Sequence, residues 1–137
     1  MFLKTEPLEH NGSSVTLYQL SALQRIEHLE YLKKLEAVEE DDFQTAITLT
    51  VKNGAYLVAL SLWHGHTVKG TLPEGAPAEV TKIQDEVLQT WPTELIAEAD
   101  FKVKLLSGMI ELQLEDPQVG ISEPAEPVTA EKPSPVS

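Results

Sequence analysis

The sequence predicts a mainly α protein: a single helical domain of about four helices with a small N-terminal β-hairpin and a disordered C-terminal tail. Three observations carry this expectation. Residues 20–107 repeat apolar positions every three or four residues over long stretches, the period of a helix. Asn11-Gly12 stands between two short alternating segments, the strongest short-range hairpin signal, because both residues tolerate positive φ. The ending ISEPAEPVTAEKPSPVS, residues 121–137, holds four prolines and three glutamates but no aromatic residue, so it cannot offset the entropy of ordering. The expected division is a domain over 1–115 and a Pro/Glu-rich tail over 116–137.

The elements come in this order. FLKTEPLEHNGSSVTLYQL reads as the hairpin, with Pro7 demoting its strand to an edge. Ser21 can cap a first helix over SALQRIEHLEYLKKLEAVEE, which contains neither Gly nor Pro. Its apolar residues Leu20, Leu23, Ile26, Leu29, Leu32 and Leu35 step by three. Each step lags a full turn by about 60°, so the stripe winds around the helix and needs more than one neighbour: this domain, another subunit or a client protein. The acidic run EEDD at 39–42 ends this helix and can start the next. A second helix is expected over about 43–64. Phe43, Ile47, Val51, Ala55, Val58 and Leu62 form one face, while Leu49, Tyr56, Leu60 and Trp63 lie off it. A helix apolar on two sides is central and buried. Thr48, Thr50, Val51 and Gly54 weaken the helical reading locally, but length favours it. HGHTVKGTLPEGAP reads as a loop, and Pro77 suits the first turn of a third helix with Val80, Ile83, Val87 and Trp91 on one face. Pro92 disfavours helical geometry at Trp91. A fourth helix carries Ile96, Ala99, Val103 and Leu106 and stops at Gly108. MIELQLE after it is either a strand joining the hairpin or a frayed helix.

Composition narrows the function classes. The 137 residues include no cysteine, which excludes a disulfide framework, an iron–sulfur cluster and thiolate catalysis and fits a reducing cytoplasm. The start MFLKTEPLEHNG lacks a basic n-region followed by an apolar run, and no apolar stretch reaches the roughly 20 residues of a membrane span. A net charge of −12 repels phosphate backbones and argues against nucleic acid. No GxSxG, phosphate-binding glycine loop or HExxH occurs, so no catalytic residue and no cofactor are expected. His64 and His66 could share a metal, but further ligands are missing nearby, and two polar residues at a helix end is the better reading. Glu39-Glu40 and Asp41-Asp42 read as solvated charge, and Ser61 beside His64 lacks a third catalytic partner. Trp63 and Trp91 read as core, or as partner anchors if exposed.

Several segments are specific enough to suggest kinship. LSALQRIEHLEYLKK, GAYLVALSLWHGH, EVLQTWPTE, LSGMIE and the ending EPAEPVTAEKPSPVS resemble, in order and over nearly the whole chain, the lambda-type phage tail assembly protein G family, also called minor tail protein G. SLWHGH together with TWPTE carries most of the specificity. The loop regions around 38–50 and 66–80 depart most. The resemblance implies a non-enzymatic tail assembly chaperone of the host cell cytoplasm, absent from the finished virion, that coats the tape measure protein. It also implies a frameshifted longer product in which this domain is fused to a domain T that recruits tail tube protein. The Pro/Glu-rich tail is then a tether between the two, with the frame changing near Glu131-Lys132 or, displaced slightly, at Lys132-Pro133. The partner-binding residues expected on this reading are Leu23, Ile26, Leu29, Leu32 and Leu35. Self-association is left open. The alternative is an acidic inhibitor or nucleic-acid mimic that binds a basic host protein. The spread of carboxylates between core positions counts against it. A hydrolase built on His64 and His66 is a distant third.

Overall fold

The computed structural model describes residues 2–36 and 42–110. The element order is β1 (Thr5–His10), β2 (Ser13–Tyr18), α1 (Ala22–Glu36), α2 (Phe43–Trp63), α3 (Ala76–Thr90) and α4 (Thr93–Leu106). Four helices and a two-stranded N-terminal sheet bear out the predicted class. The expectations for 111–115 and for the tail at 116–137 lie outside the described residues.

The hairpin forms where its turn chemistry demands. Asn11 and Gly12 take φ of 50° and 83°, the paired positive values of a two-residue turn that matches strand twist. The strands are antiparallel, with Leu8 opposite Val15 and Glu6 opposite Leu17. Leu8 and Leu17 point into the core, whereas Pro7 and Thr16 face out. The Tyr18 N–H donates to Ser61 Oγ at 2.6 Å, and that hydroxyl donates to the Tyr18 carbonyl at 2.8 Å. One buried serine on α2 therefore satisfies both outward backbone groups at the end of β2. Ser61→Ala is expected to destabilise the fold by about 1–3 kcal/mol, because it leaves both groups unpaired. A urea melt that matches wild type within about 0.5 kcal/mol would contradict this.

The helix limits obey local signals. Ser21 and Gln24 close α1 reciprocally: Ser21 N–H donates to Gln24 Oε1 at 3.1 Å, and Gln24 N–H to Ser21 Oγ at 3.3 Å. Asp42 caps α2 by accepting from Thr45 N–H at 2.7 Å, which holds its carboxyl below the usual range. Proline occupies the first turn of α3, and Trp91 leaves the helix in an extended conformation (φ −102°, ψ 139°) before Pro92. Gly108, at φ 71°, terminates α4. α2 starts at Phe43, as the sequence predicts, and α3 starts at Ala76, so that Pro77 lies in its first turn as expected.

The second half of α2 is the axis of the fold. Ala55, Leu57, Val58, Ala59, Leu60 and Ser61 have no accessible surface. Val80, Ile83 and Val87 of α3, Ile96, Ala99 and Val103 of α4, and Leu8 and Leu17 of the hairpin complete the core around it. Gly54 is useful here rather than harmful. A Cβ at that position would lie 3.3 Å from Ile96 Cγ2, so the missing side chain lets α4 approach closely. The expectation that α2 is buried along its whole length is corrected for the first half: Phe43 is 77% and Ile47 46% exposed.

Candidate interaction surface

α1 packs inside out. Its buried residues are Gln24 and His28, while Leu23, Ile26 and Leu29 are 63%, 53% and 60% exposed. Steps of three residues spread these three side chains over an arc of about 120° on the outer side. Leu32 and Leu35 are half-buried and, with Leu49, Thr50 and Asn53 of α2, line a shallow cleft. Of the five apolar residues expected to meet a partner, three thus form an open outer arc and two lie at the α1–α2 seam.

Polar contacts hold α1 in this orientation. Gln24 Nε2 donates to the Leu60 carbonyl at 2.7 Å, and Gln24 Oε1 accepts from His64 Nε2–H at 2.8 Å. Because Gln24 Oε1 also accepts from Ser21 N–H, His64 must carry its proton on Nε2. Tyr31 stacks on Tyr56 with ring centroids 4.0 Å apart, and Gln84 Nε2 donates to the Tyr31 hydroxyl at 3.3 Å. Arg25 Nη1 donates to the Ser107 carbonyl at 3.0 Å, fastening the start of α1 to the end of α4. His28 is 2% exposed with neither ring nitrogen hydrogen-bonded, and Asn53 Oδ1 and Asp100 Oδ1 are likewise buried and unpaired. This seam is poorly satisfied, in contrast to the apolar core around Leu57.

Burial pushes the His28 pKa below the ordinary histidine range, and nearby Lys104 and Arg25 act in the same direction, while the Asp100 carboxylate opposes them. Burial and Lys69 lower His64 likewise. Both histidines therefore fold neutral, and below about pH 6.5 the unfolded chain binds more protons than the folded one. The stability they contribute is complete above that pH and is lost as pH falls through their depressed folded values. The melting temperature is expected to fall between pH 7 and 5.5, less steeply in His28→Leu than in wild type. Parallel slopes in the two proteins would remove His28 from this account.

The remaining sequence candidates resolve into structural roles. Glu79 is 2% exposed; it accepts from Trp63 Nε1–H at 2.9 Å and from Leu72 N–H at 3.0 Å. These bonds, led by the Leu72 amide, lower its pKa. Nothing in the sequence marks Glu79 out, because a lone glutamate early in a helix looks solvated. Trp63 and Trp91 are both half-buried against the core. His66 accepts from Val68 N–H through Nδ1 and bonds Glu86 through Nε2 at 3.0 Å. Among the described residues no group of three or more His, Asp or Glu side chains is placed to hold a metal ion, and no helix is long and apolar enough to cross a membrane. Ser61, bonded to the Tyr18 backbone, has a structural role in the fold.

The family described as bacteriophage lambda tail assembly chaperone, TAC, protein G matches residues 1–126. The chain belongs to this family. It is 74% identical over 140 residues to tail assembly protein G of Escherichia phage N15, with all of both chains covered. It is 49% identical over 141 residues to tail assembly protein G of Escherichia phage lambda, again across all of both. Tail assembly protein GT of phage N15 is 72% identical over 135 residues; the match covers 96% of this chain but 54% of that protein, so the chain spans about half of the longer relative. No solved structure matches the chain. The family carries the assembly role, and the outward leucines of α1 show where a member of it keeps apolar surface available.

Proposed function

We propose that the chain binds the tape measure protein of its phage through the outer face of α1 and keeps it soluble in the host cytoplasm while the tail is built, without catalysis. The carrying observation is the inverted packing of α1, with Gln24 and His28 inside and Leu23, Ile26 and Leu29 outside. Turning three large apolar side chains to water forgoes about 1.5–3 kcal/mol for each that full burial would supply. A contiguous apolar face on a monomer signals a binding surface. A long helical client exposes apolar stripes that aggregate unless covered, and the acidic balance of −12 keeps the loaded chaperone in solution.

A fraction of translations would change frame near Glu131-Lys132 and yield a fusion whose added domain T recruits tail tube subunits, with residues 116–137 serving as the tether. Phage N15 has relatives named both G and GT; similarity covers 100% of this chain for the first and 96% for the second. That difference fits a change of frame close to the end. Two experiments test the proposal. Co-expression with the cognate tape measure protein should leave the client soluble and co-purifying with this chain; an insoluble client would contradict the binding claim. Mass spectrometry of the products of the intact locus should find a minor larger species sharing the N-terminal peptides; a lone product ending at Ser137 would contradict the fusion.

A further inference from the structure

We propose that the outer edge of β2 is a binding surface separate from α1, and that it takes an extended, basic segment of a partner protein as a third strand in the groove between β2 and α3. The pairing of the hairpin opens this edge. Gln19 N–H donates to the Lys4 carbonyl at 2.8 Å, so in the observed register Glu6 with Leu17 and Leu8 with Val15 are the pairs that exchange hydrogen bonds across the hairpin. Ser14, Thr16 and Tyr18 then turn their backbone N–H and carbonyl groups away from β1. Ser61 of α2 meets both groups of Tyr18, as a neighbouring strand would. Two residues back, about 7 Å along the strand, Thr16 is exposed. Among the described residues no hydrogen bond reaches its outward groups, nor those of Ser14.

The two edges of the hairpin differ in how they are guarded. On the outer edge of β1 the outward residues are Thr5, Pro7 and Glu9. Pro7 has no N–H and interrupts the row of donors, and Glu9 adds charge, both common protections of a strand edge. β2, with the sequence SSVTLY, carries neither a proline nor a charge. Opposite its open edge lies a groove. β2 packs mainly on α2 and α4. Two clefts of about 320 and 350 Å³ run beside it and share Val15 and Trp91. Thr16 lines the first, with Glu86 and Val87 of α3, and Ser14 lines the second.

Backbone chemistry and charge together specify the occupant. Free N–H and carbonyl groups on a strand edge are satisfied by another extended backbone, whereas a helix has already used its own groups internally. Trp91, half-buried between the clefts, offers an apolar anchor for one side chain of the added strand. Glu86 stands at the rim with its side chain 57% exposed, and only its Oε1 is engaged, by His66. Neither cleft is lined by a lysine or an arginine. With a net charge of −12 the chain repels an acidic segment and favours a basic one. No residue of α1 lines the groove, so this site stands or falls independently of tape measure binding.

Amide signals of the full chain test this. In the free protein the Thr16 amide should exchange with solvent at least about tenfold faster than those of Val15, Leu17 and Tyr18, which donate within the structure. Equal protection would overturn the proposal, because the edge would already be taken. The binding probe is the acetylated, amidated peptide Lys-Val-Thr-Val-Lys. It should shift the Thr16 amide and Trp91 indole signals saturably and slow exchange at Thr16. The same peptide methylated at every backbone nitrogen keeps its side chains and charge but has no N–H to donate, and should bind about tenfold more weakly. The peptide Glu-Val-Thr-Val-Glu should bind severalfold more weakly than the lysine form, and Glu86→Lys should reverse that order. No saturable shift at Thr16 with millimolar lysine peptide, equal binding of the methylated form, or shifts confined to α1 would overturn the strand-addition site. An order of preference unchanged in Glu86→Lys would overturn the role of Glu86 in selecting a basic segment.

Discussion

Leu29→Glu is expected to weaken binding of the tape measure protein at least tenfold while leaving the fold intact. Leu29 is 60% exposed, so it contributes little to the core, and an exposed substitution of this kind shifts stability by less than about 0.5 kcal/mol. At an interface the same change removes a buried apolar side chain, worth up to about 1.5–3 kcal/mol, and forces a carboxylate out of water. A loss of about 1.4 kcal/mol already corresponds to tenfold. Leu23→Glu and Ile26→Glu should behave alike, since the three share one arc. Co-purification with the tape measure protein, scored beside a thermal melt of each variant, checks this. Variants that fold and bind as wild type would move the binding surface elsewhere.

Leu57→Ala is expected to do the opposite: to destabilise the domain by about 2–5 kcal/mol and act on client binding only through unfolding. Leu57 has no accessible surface and sits in the half of α2 that α3, α4 and the hairpin enclose. Truncation would leave a cavity that this well-packed core can close only in part. For a domain of this size that means a melting temperature lower by about 10 °C or more. A change under about 1 kcal/mol in a urea melt would show that the core around α2 is looser than its burial implies.

Between these two leucines lies the boundary of what a sequence can express. The helix limits were legible because they depend on neighbours in the chain: Ser21 with Gln24, Asp42 with Thr45, proline in the first turn of α3, Pro92 after Trp91, Gly108 after α4. The hairpin was legible from Asn11-Gly12 alone. The cores of α3 and α4 came from plain four- and three-residue spacing. The orientation of α1 was only half legible. Steps of three announced a stripe too wide for one neighbour. That Gln24 would be the inward residue depends on the Leu60 carbonyl and His64, which lie 36 and 40 residues away. The exposure of Phe43 and Ile47 was hidden for a different reason. Their spacing continues the buried face of α2, but α2 has 21 residues while α3 and α4 have 15 and 14. The surplus turns have no α3 or α4 to cover them, and periodicity within one helix carries no information about the lengths of its neighbours.

The inverted helix also explains how the protein can hold apolar surface without losing its fold. The stabilising apolar contacts gather around the second half of α2, and α1 is attached through Gln24, Arg25 and the Tyr31–Tyr56 stack. Its outward leucines are therefore free of structural duty. Buried polar groups without partners at this seam, in His28, Asn53 and Asp100, weaken it further relative to the core. On the function proposed above, a client would engage or shift α1 at low cost to the rest of the domain.

The most direct test of the central claim is a methyl spectrum of the chain, labelled at leucine and isoleucine, recorded with and without the cognate tape measure protein. Binding through the outer face of α1 predicts that the methyl signals of Leu23, Ile26 and Leu29 shift or broaden, while those of Leu57, Leu60 and Ile83, which have no accessible surface, stay in place. Unchanged α1 signals in a saturated complex, with shifts confined to residues such as Leu62 and Leu95 beside Trp91, would contradict the claim.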